Sequence, residues 1–439
     1  MIPSIIFILV LAAAIVIFTR KVRQIALEIK LGKDLKINDN KKTRWKLMTR
    51  VAIGQAKMVK RPIPAILHIF VYVGFIIVNI EMLEILIDGI FGTHRFFTFV
   101  GKLYPILISA FEITGLAVIF GCLIFLIRRN VIRVKRFWSA EMKLWPRTDA
   151  NTILITELFL MSAILMMNAS DSILQSRHVG HYHETGSFLI SGMIIPWFIG
   201  LPDNTLIFLE RFGWWFHIVG VLAFLNYIPY SKHFHVFLSF PNVWYSKLES
   251  PGKITNMPSI TNEIKAMLSG SMDVPPEGEE EIGRFGVKDC RDLTWKNLMD
   301  AYTCTECGRC TSSCPANLTG KKLSPRKVMM DVRDRLEYLG KNIRKNGEDF
   351  TDDASLFDRI TSEELWACTT CNACTNECPV NIDPVSIIID LRRYLVMEEA
   401  AAPGELNAIF SNIENNGAPW QYSNEDRLLW ADDLEIKIN

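Results

Sequence analysis

Five runs of about twenty apolar residues, roughly 2–18, 63–87, 103–127, 152–175 and 206–230, crowd into the first 230 positions of this 439-residue chain. At about 1.5 Å per residue, each is long enough as a helix to cross a hydrocarbon core roughly 30 Å thick. Backbone groups in such a core find no water and must bond within the segment, which leaves the helix as the expected form. A shorter apolar piece at 187–199 is cut by Gly192 and Pro196 and reads as interfacial or re-entrant. The first run lacks a basic leader and a small-residue cleavage site before Arg20, so a retained anchor is expected. Although 49% of the residues are hydrophobic, 22% are charged, near the roughly 25% of soluble domains, so a polar domain is expected after the fifth run.

Basic residues stay on the cytoplasmic side of short loops, and they are dense in 19–61 and 128–147 but sparse in 92–102 and 176–205. That asymmetry places the N-terminus outside and, after five crossings, everything beyond about residue 230 in the cytoplasm. Forty-eight Lys and Arg balance 47 Asp and Glu, which argues against a nucleic-acid binder, since phosphate contacts demand a basic surplus.

All eight histidines fall between His68 and His235. If the fifth helix continued through 235, His217 and His235 would share one face about 27 Å apart, with His233 turned nearly the opposite way. His68 lies about 9 Å inside the second run, which suits it to pair with His235. Two neutral imidazoles on facing helices are what bis-histidine ligation of a b-type haem requires, and His68 with His235 is the expected pair. His217 is the candidate ligand of a second haem, but at its expected depth the second helix offers Val78 and Asn79, neither a usual ligand. Among acids toward the outer side, Glu81 and Glu112 are candidates for taking protons from a quinol, whose oxidation releases two.

Eight of the ten cysteines form two copies of C-x2-C-x2-C-x3-C-P, CTECGRCTSSCP from Cys304 and CTTCNACTNECP from Cys368. In such runs the first three thiolates hold one cubane and the fourth ligates the other. Cluster one then takes Cys304, Cys307, Cys310 and Cys378, and cluster two takes Cys368, Cys371, Cys374 and Cys314. Zinc sites prefer separated cysteine pairs and fit this spacing poorly. The intervening residues carry a helical stretch from Ser324 and no strand alternation, so a helical ferredoxin scaffold is expected. Cys122 and Cys290 read as structural. The chain divides into an anchor and basic segment (1–61), a transmembrane haem core (62–240), a linker (241–290), a two-[4Fe-4S] domain (291–400) and a tail (401–439).

Through His68, His217 and the run PYSKHFH, the membrane half resembles the gamma subunit of respiratory nitrate reductase and the membrane subunit of heterodisulfide reductase. The cysteine motifs and the tail NIENNGAPW…RLLWADDL resemble the helical ferredoxin part of heterodisulfide reductase and of the glycerol-3-phosphate dehydrogenase anchor subunit. Segments 19–61 and 241–290 match little. The resemblance implies an all-α protein: a five-helix transmembrane haem-binding bundle followed by a cytoplasmic α-helical ferredoxin domain, in a bacterial or archaeal plasma membrane. It also implies a membrane electron-transfer subunit of an oxidoreductase that passes electrons between quinone, haem b, two [4Fe-4S] clusters and a cytoplasmic cysteine-rich partner. With no cysteine after Cys378, that partner is expected to be a separate protein that docks near Trp420 and Trp430. A redox sensor without turnover, or a subunit of a formate- or hydrogen-oxidising complex, would use the same parts.

Overall fold

The computed structural model describes residues 2–186, 188–269, 284–432 and 434. Among them the regular structure is helical, and the one bridge of strand type pairs Lys33 with Thr294. The helices are α1 (Ile2–Ile29), α2 (Lys41–Met48), α3 (Pro62–Phe91), α4 (Tyr104–Leu126), α5 (Trp145–Ser176), α6 (Leu189–Phe198), α7 (Asp203–Tyr227) and α8 (His235–Trp244). Then come α9 (Pro258–Ser269), α10 (Trp295–Thr303), α11 (Arg309–Ser312), α12 (Pro315–Leu318), α13 (Pro325–Asn346), α14 (Ser362–Trp366), α15 (Ala373–Glu377), α16 (Pro384–Met397) and α17 (Gly404–Asn416).

Five helical segments, Ile2–Ile29, Pro62–Phe91, Phe96–Val131, Trp145–Ser176 and Asp203–Tyr230, are long and apolar enough to cross a membrane. The apolar piece around 187–199 forms α6, too short to span. Pro62, Pro105 and Pro146 stand in the first turns of α3, α4 and α5, where a missing N–H costs nothing. α3 stops at Gly92, whose left-handed φ of 71° caps it. In the bundle α5 packs along α7 and α4, α3 along α4, and α1 against both α3 and α7.

The polar domain is not tethered at a distance. One apolar core runs from Ile25, Ile153, Phe224, Ile228 and Phe234, at the ends of α1, α5 and α7, into Leu293, Val328, Leu336, Leu365 and Ile387. α1 overshoots its apolar run, and its last turn docks on α13. There the buried Glu28 accepts bonds from Tyr302 Oη and Arg344, and Gly340 passes so close that any Cβ would overlap the Glu28 side chain.

The poorly matched segments 19–61 and 241–290 turn out to be partly structural. Arg44, 4% exposed, donates to the Ser246 carbonyl at 3.0 Å, joining α2 to the end of α8. α8 crosses the expected boundary at residue 240 and packs on α10, with Asn242 and Val243 fully buried. Most of the acidic, Pro-rich stretch from Asp273 lies outside the described residues.

Candidate functional site

The fifth helix does not run on to His235. α7 ends at Tyr227, and two 3-10 turns, Ile228–Tyr230 and Lys232–Phe234, follow around Pro229 before α8 begins at His235. Proline removes a helical hydrogen bond and redirects the chain, so a count of 100° per residue fails beyond Tyr227. The expectation that His233 turns away is therefore corrected. The His233 and His235 rings lie 5.5 Å apart, and His235 acts electrostatically on both His233 and His68. Burial first, then His235 and His68, push the His233 pKa down to about 3, so it is neutral at physiological pH. Nδ1 of His235 bonds the Lys232 carbonyl at 3.0 Å, which fixes its tautomer and leaves Nε2 as a lone-pair donor. His68 Nδ1 is buried without a hydrogen-bond partner. A carbonyl-held Nδ1 that leaves Nε2 free, as in His235, fits axial ligation of a haem iron, whereas His68 has no such hydrogen bond on Nδ1.

Lys232 does not reach for the membrane surface. Its side chain is 9% exposed and pairs with Glu306, which sits between Cys304 and Cys307 and also bonds Arg333 at 2.8 Å. Burial works against the Glu306 carboxylate, but Lys232 and Arg333 outweigh it and hold the group below the usual range. From the other side, Lys57 donates to the Thr375 carbonyl at 3.1 Å, and Arg61, just before α3, donates to Ser312 Oγ at 2.9 Å. Arg309, between Cys307 and Cys310, bonds the Lys57 carbonyl at 3.2 Å and lies near enough to His68 to act on it electrostatically. The basic segment thus clamps both cysteine motifs against the end of the bundle that carries the histidines.

The two motifs repeat in conformation as well as in sequence. Glu306 and Thr370 occupy matching positions with φ of 54° and 53°, and Gly308 and Asn372 follow with 70° and 57°. Left-handed residues at both points curl the chain around a centre, and Gly308 leaves room for Arg326 Nη1, 2.5 Å from where a Cβ would stand. Cys304, Cys307, Cys310 and Cys378 line one cavity, which Cys374 also borders. Cys314 instead acts on Cys368, alongside Cys371. Burial raises the Cys304 thiol to about 11 and the Cys374 and Cys378 thiols to about 12, so a bound metal at these positions would be what makes thiolates stable at neutral pH. Backbone N–H groups of Thr370 and Ile382 point at Cys368 Sγ (3.4 Å) and Cys378 Sγ (3.3 Å), the kind of contact that tunes cluster potentials. Among the described residues no three His, Cys, Asp or Glu side chains close on a single ion. Cys371 alone of the eight is exposed, while Cys122 and Cys290 are buried in apolar cores.

The end of the bundle away from the cysteine motifs holds a cavity of about 260 Å³ whose lining includes Glu81, His94, Asp171, Glu210, Arg211 and Trp214. The acids around it are mostly bonded within the protein. Glu84 accepts from Phe97 N–H at 2.7 Å, and Asp171 pairs with Arg95. Glu112 lies elsewhere, accepting the N–H groups of Ile190 (2.8 Å) and Ser191 (3.1 Å) at the start of α6, a helix-capping arrangement. His217 is fully buried and meets Met82, a residue no periodicity or motif singled out.

A family profile described as a 4Fe-4S dicluster domain matches residues 303–382, the span of all eight clustered cysteines. The chain is similar along 98% of its length, at 29% identity, to the probable iron-sulfur-binding oxidoreductase FadF of Bacillus subtilis, and covers 61% of that protein. Over 88% of its length it is 25% identical to the EtfAB:quinone oxidoreductase of Syntrophomonas wolfei, covering 53% of it. A third of the chain (33%) is 27% identical to one polypeptide of the dihydromethanophenazine:CoB–CoM heterodisulfide reductase of Methanosarcina barkeri, covering 36% of that polypeptide. The chain therefore spans little more than half the length of the FadF and EtfAB:quinone oxidoreductase relatives. No solved structure matches it significantly. These relatives are oxidoreductases by name, the first an iron-sulfur-binding one, and with the dicluster domain they support an oxidoreductase electron-transfer role for a chain that carries five apolar helices and [4Fe-4S] motifs.

Proposed function

We propose that this chain is the membrane electron-transfer part of a quinone-linked oxidoreductase. It passes electrons between quinone or quinol in the membrane, b-type haem, two [4Fe-4S] clusters and a cytoplasmic cysteine-rich redox partner. The observation that carries the reading is the direct linkage of the histidine site to the first cysteine motif: Lys232, beside His233, pairs with Glu306 inside CTEC. Haem ligated by His68 and His235 would supply reversible one-electron exchange. The chain's own residues do the positioning. Lys232 fixes the His235 tautomer through its carbonyl and the motif through its ammonium. Arg61 and Lys57 hold both motifs from the other side.

The crossed ligand sets, Cys304, Cys307, Cys310 and Cys378 for one cluster and Cys368, Cys371, Cys374 and Cys314 for the other, are supported by the shared cavity and by Cys314 lying near Cys368. The exposed Cys371 makes the second cluster the exit toward the partner. Trp420 and Trp430, each 68% exposed, offer apolar surface for the cysteine-rich domain to cover. Toward the outer face, Glu81 in the cavity is the group we assign to proton exchange with quinol. The basic segments support a topology with the N-terminus outside and the clusters in the cytoplasm of a bacterium or archaeon. The purified full chain should hold about eight non-haem irons and about eight labile sulfides, together with low-spin haem that a quinol analogue reduces. Zinc in place of iron, or haem inert to quinol, would overturn the reading.

A further inference from the structure

The turn that follows α3 is tied back over the cavity at the bundle end away from the cysteine motifs. Asp88, in the last turn of α3, accepts from Thr93 Oγ1 (2.5 Å) and from the N–H groups of Arg95 (2.8 Å) and Phe96 (3.1 Å). Gly92 and Arg95, with left-handed φ of 71° and 55°, let the chain reverse there. His94 is thereby set in the cavity wall, its side chain 19% exposed and its Nε2 3.4 Å from Asp171 Oδ1. Asp171 is 1% exposed. Its Oδ2 is engaged by Arg95 and by Gln175 Nε2 at 3.1 Å, whereas Oδ1 is buried without a hydrogen-bond partner.

Most other charges in that wall are engaged. Glu84 accepts from Phe97 N–H and Tyr104 Oη, and Glu210 pairs with Arg211 and accepts from Tyr182 Oη. His94 instead faces one carboxylate oxygen and meets the rings of His181 and Tyr182 edge-on at 5.3 Å. A carboxylate can only accept, so the His94 proton belongs on Nε2 and Nδ1 presents a lone pair. Phe7, Met167, Trp214 and Trp215 supply flat apolar wall. At about 260 Å³ the cavity lies just below the roughly 300 Å³ at which drug-sized ligands fit, a size for a ring system carrying one or two polar groups.

We propose that this cavity takes the ring of a quinol and that His94, backed by Asp171, is the base that accepts one of its two protons. This rests on the quinol reading above and completes its proton count, since Glu81 in the same cavity was assigned the other. The O–H bond beside His94 breaks, the proton goes to Nδ1, and the Asp171 carboxylate offsets the charge gained by the imidazole. The two electrons of the quinol pass to the one-electron carriers of that reading, and the ring leaves as quinone. His181, exposed and edge-on to His94, opens the way from the imidazole to water.

The test uses the full chain in detergent with menadiol, a small naphthoquinol, and its oxidised form menadione. Menadione binding is read by quenching of tryptophan fluorescence, because Trp214 and Trp215 line the cavity, and reaction by stopped-flow reduction of haem. His94→Gln keeps hydrogen-bonding capacity but not basicity, so it should bind menadione within about twofold of wild type yet pass electrons to haem about 100-fold more slowly. That deficit should shrink at high pH, where the quinol ionises unaided. Ser4→Phe, which adds a ring to the cavity from α1, should weaken menadione binding about tenfold while the spectrum of dithionite-reduced haem stays unchanged. Wild-type reduction rates in His94→Gln, or undiminished binding in Ser4→Phe, would overturn the proposal. A wild type whose haem menadiol does not reduce would refute the function proposed above, and this inference with it.

Discussion

Replacing Lys232 by Met tests the joint between the bundle and the iron-sulfur domain. Lys232 and Glu306 are 9% and 2% exposed, so their pairing is scarcely screened by solvent, unlike an exposed pair contributing at most about 1 kcal/mol. Removing one partner of a buried pair costs roughly 3–5 kcal/mol, because the other charge is left uncompensated. Here Arg333 still bonds Glu306 at 2.8 Å, which brings the expected loss for Lys232→Met down to about 2–3 kcal/mol. Glu306→Gln removes the charge that Lys232 and Arg333 share, leaving them only the longer contacts to Asp149 (3.9 Å) and Asp334 (3.3 Å), and should cost more. Thermal unfolding of the purified holoprotein should fall by about 5–10 °C in Lys232→Met, at 2–4 °C per kcal/mol for a region of this size. In the double variant the losses should not add, leaving a coupling of about 2 kcal/mol. The pH dependence has a definite sign. Glu306 is held below its ordinary value, so its contribution is complete above about pH 4.3 and is lost as pH falls through the lowered pKa. The gap between wild type and Glu306→Gln should be flat from pH 5 to 8 and close only in stronger acid. A Lys232→Met loss under about 0.5 kcal/mol, or strict additivity in the double variant, would refute a buried pair.

Cys314→Ser should alter the cluster held by Cys368, Cys371 and Cys374, seen by electron paramagnetic resonance; damage confined to the first-motif cluster would contradict the crossing. Ala at Gly340 should lower the thermal midpoint, since its Cβ must displace the buried Glu28 and overpacking costs about 1–3 kcal/mol. A rise, as helix propensity alone would give, would show that the α1–α13 contact is loose. Chelating the iron should lower the midpoint of the domain that holds all eight cysteines while leaving helicity of the apolar segments, read by circular dichroism, nearly intact.

Much of the architecture was legible because its signals are periodic and local. Apolar length gave the five long helices to within a few residues at most ends, and cysteine spacing gave the paired motifs. The 3-10 turns around Pro229 were not legible as geometry, and only the structure shows that they swing His233 in beside His235. Met82 escaped for a different reason. Methionine in an apolar helix is ordinary core, and only the structure shows that it meets the His217 nitrogen across the bundle. The clamp by Lys57, Lys60 and Arg61 was equally hidden, because basic residues beside a membrane helix read first as an orientation signal.

If membrane haem and cytoplasmic clusters form one conduit, they meet at His68 and the first cysteine motif. Stopped-flow reduction of the full chain by a quinol analogue, with haem followed optically and the clusters by freeze-quench paramagnetic resonance, puts that junction to trial. Connected reduction of haem and clusters is expected in wild type, and in His68→Ala clusters that dithionite still reduces but quinol does not. Clusters reduced by quinol equally fast in His68→Ala would contradict a haem-to-cluster conduit.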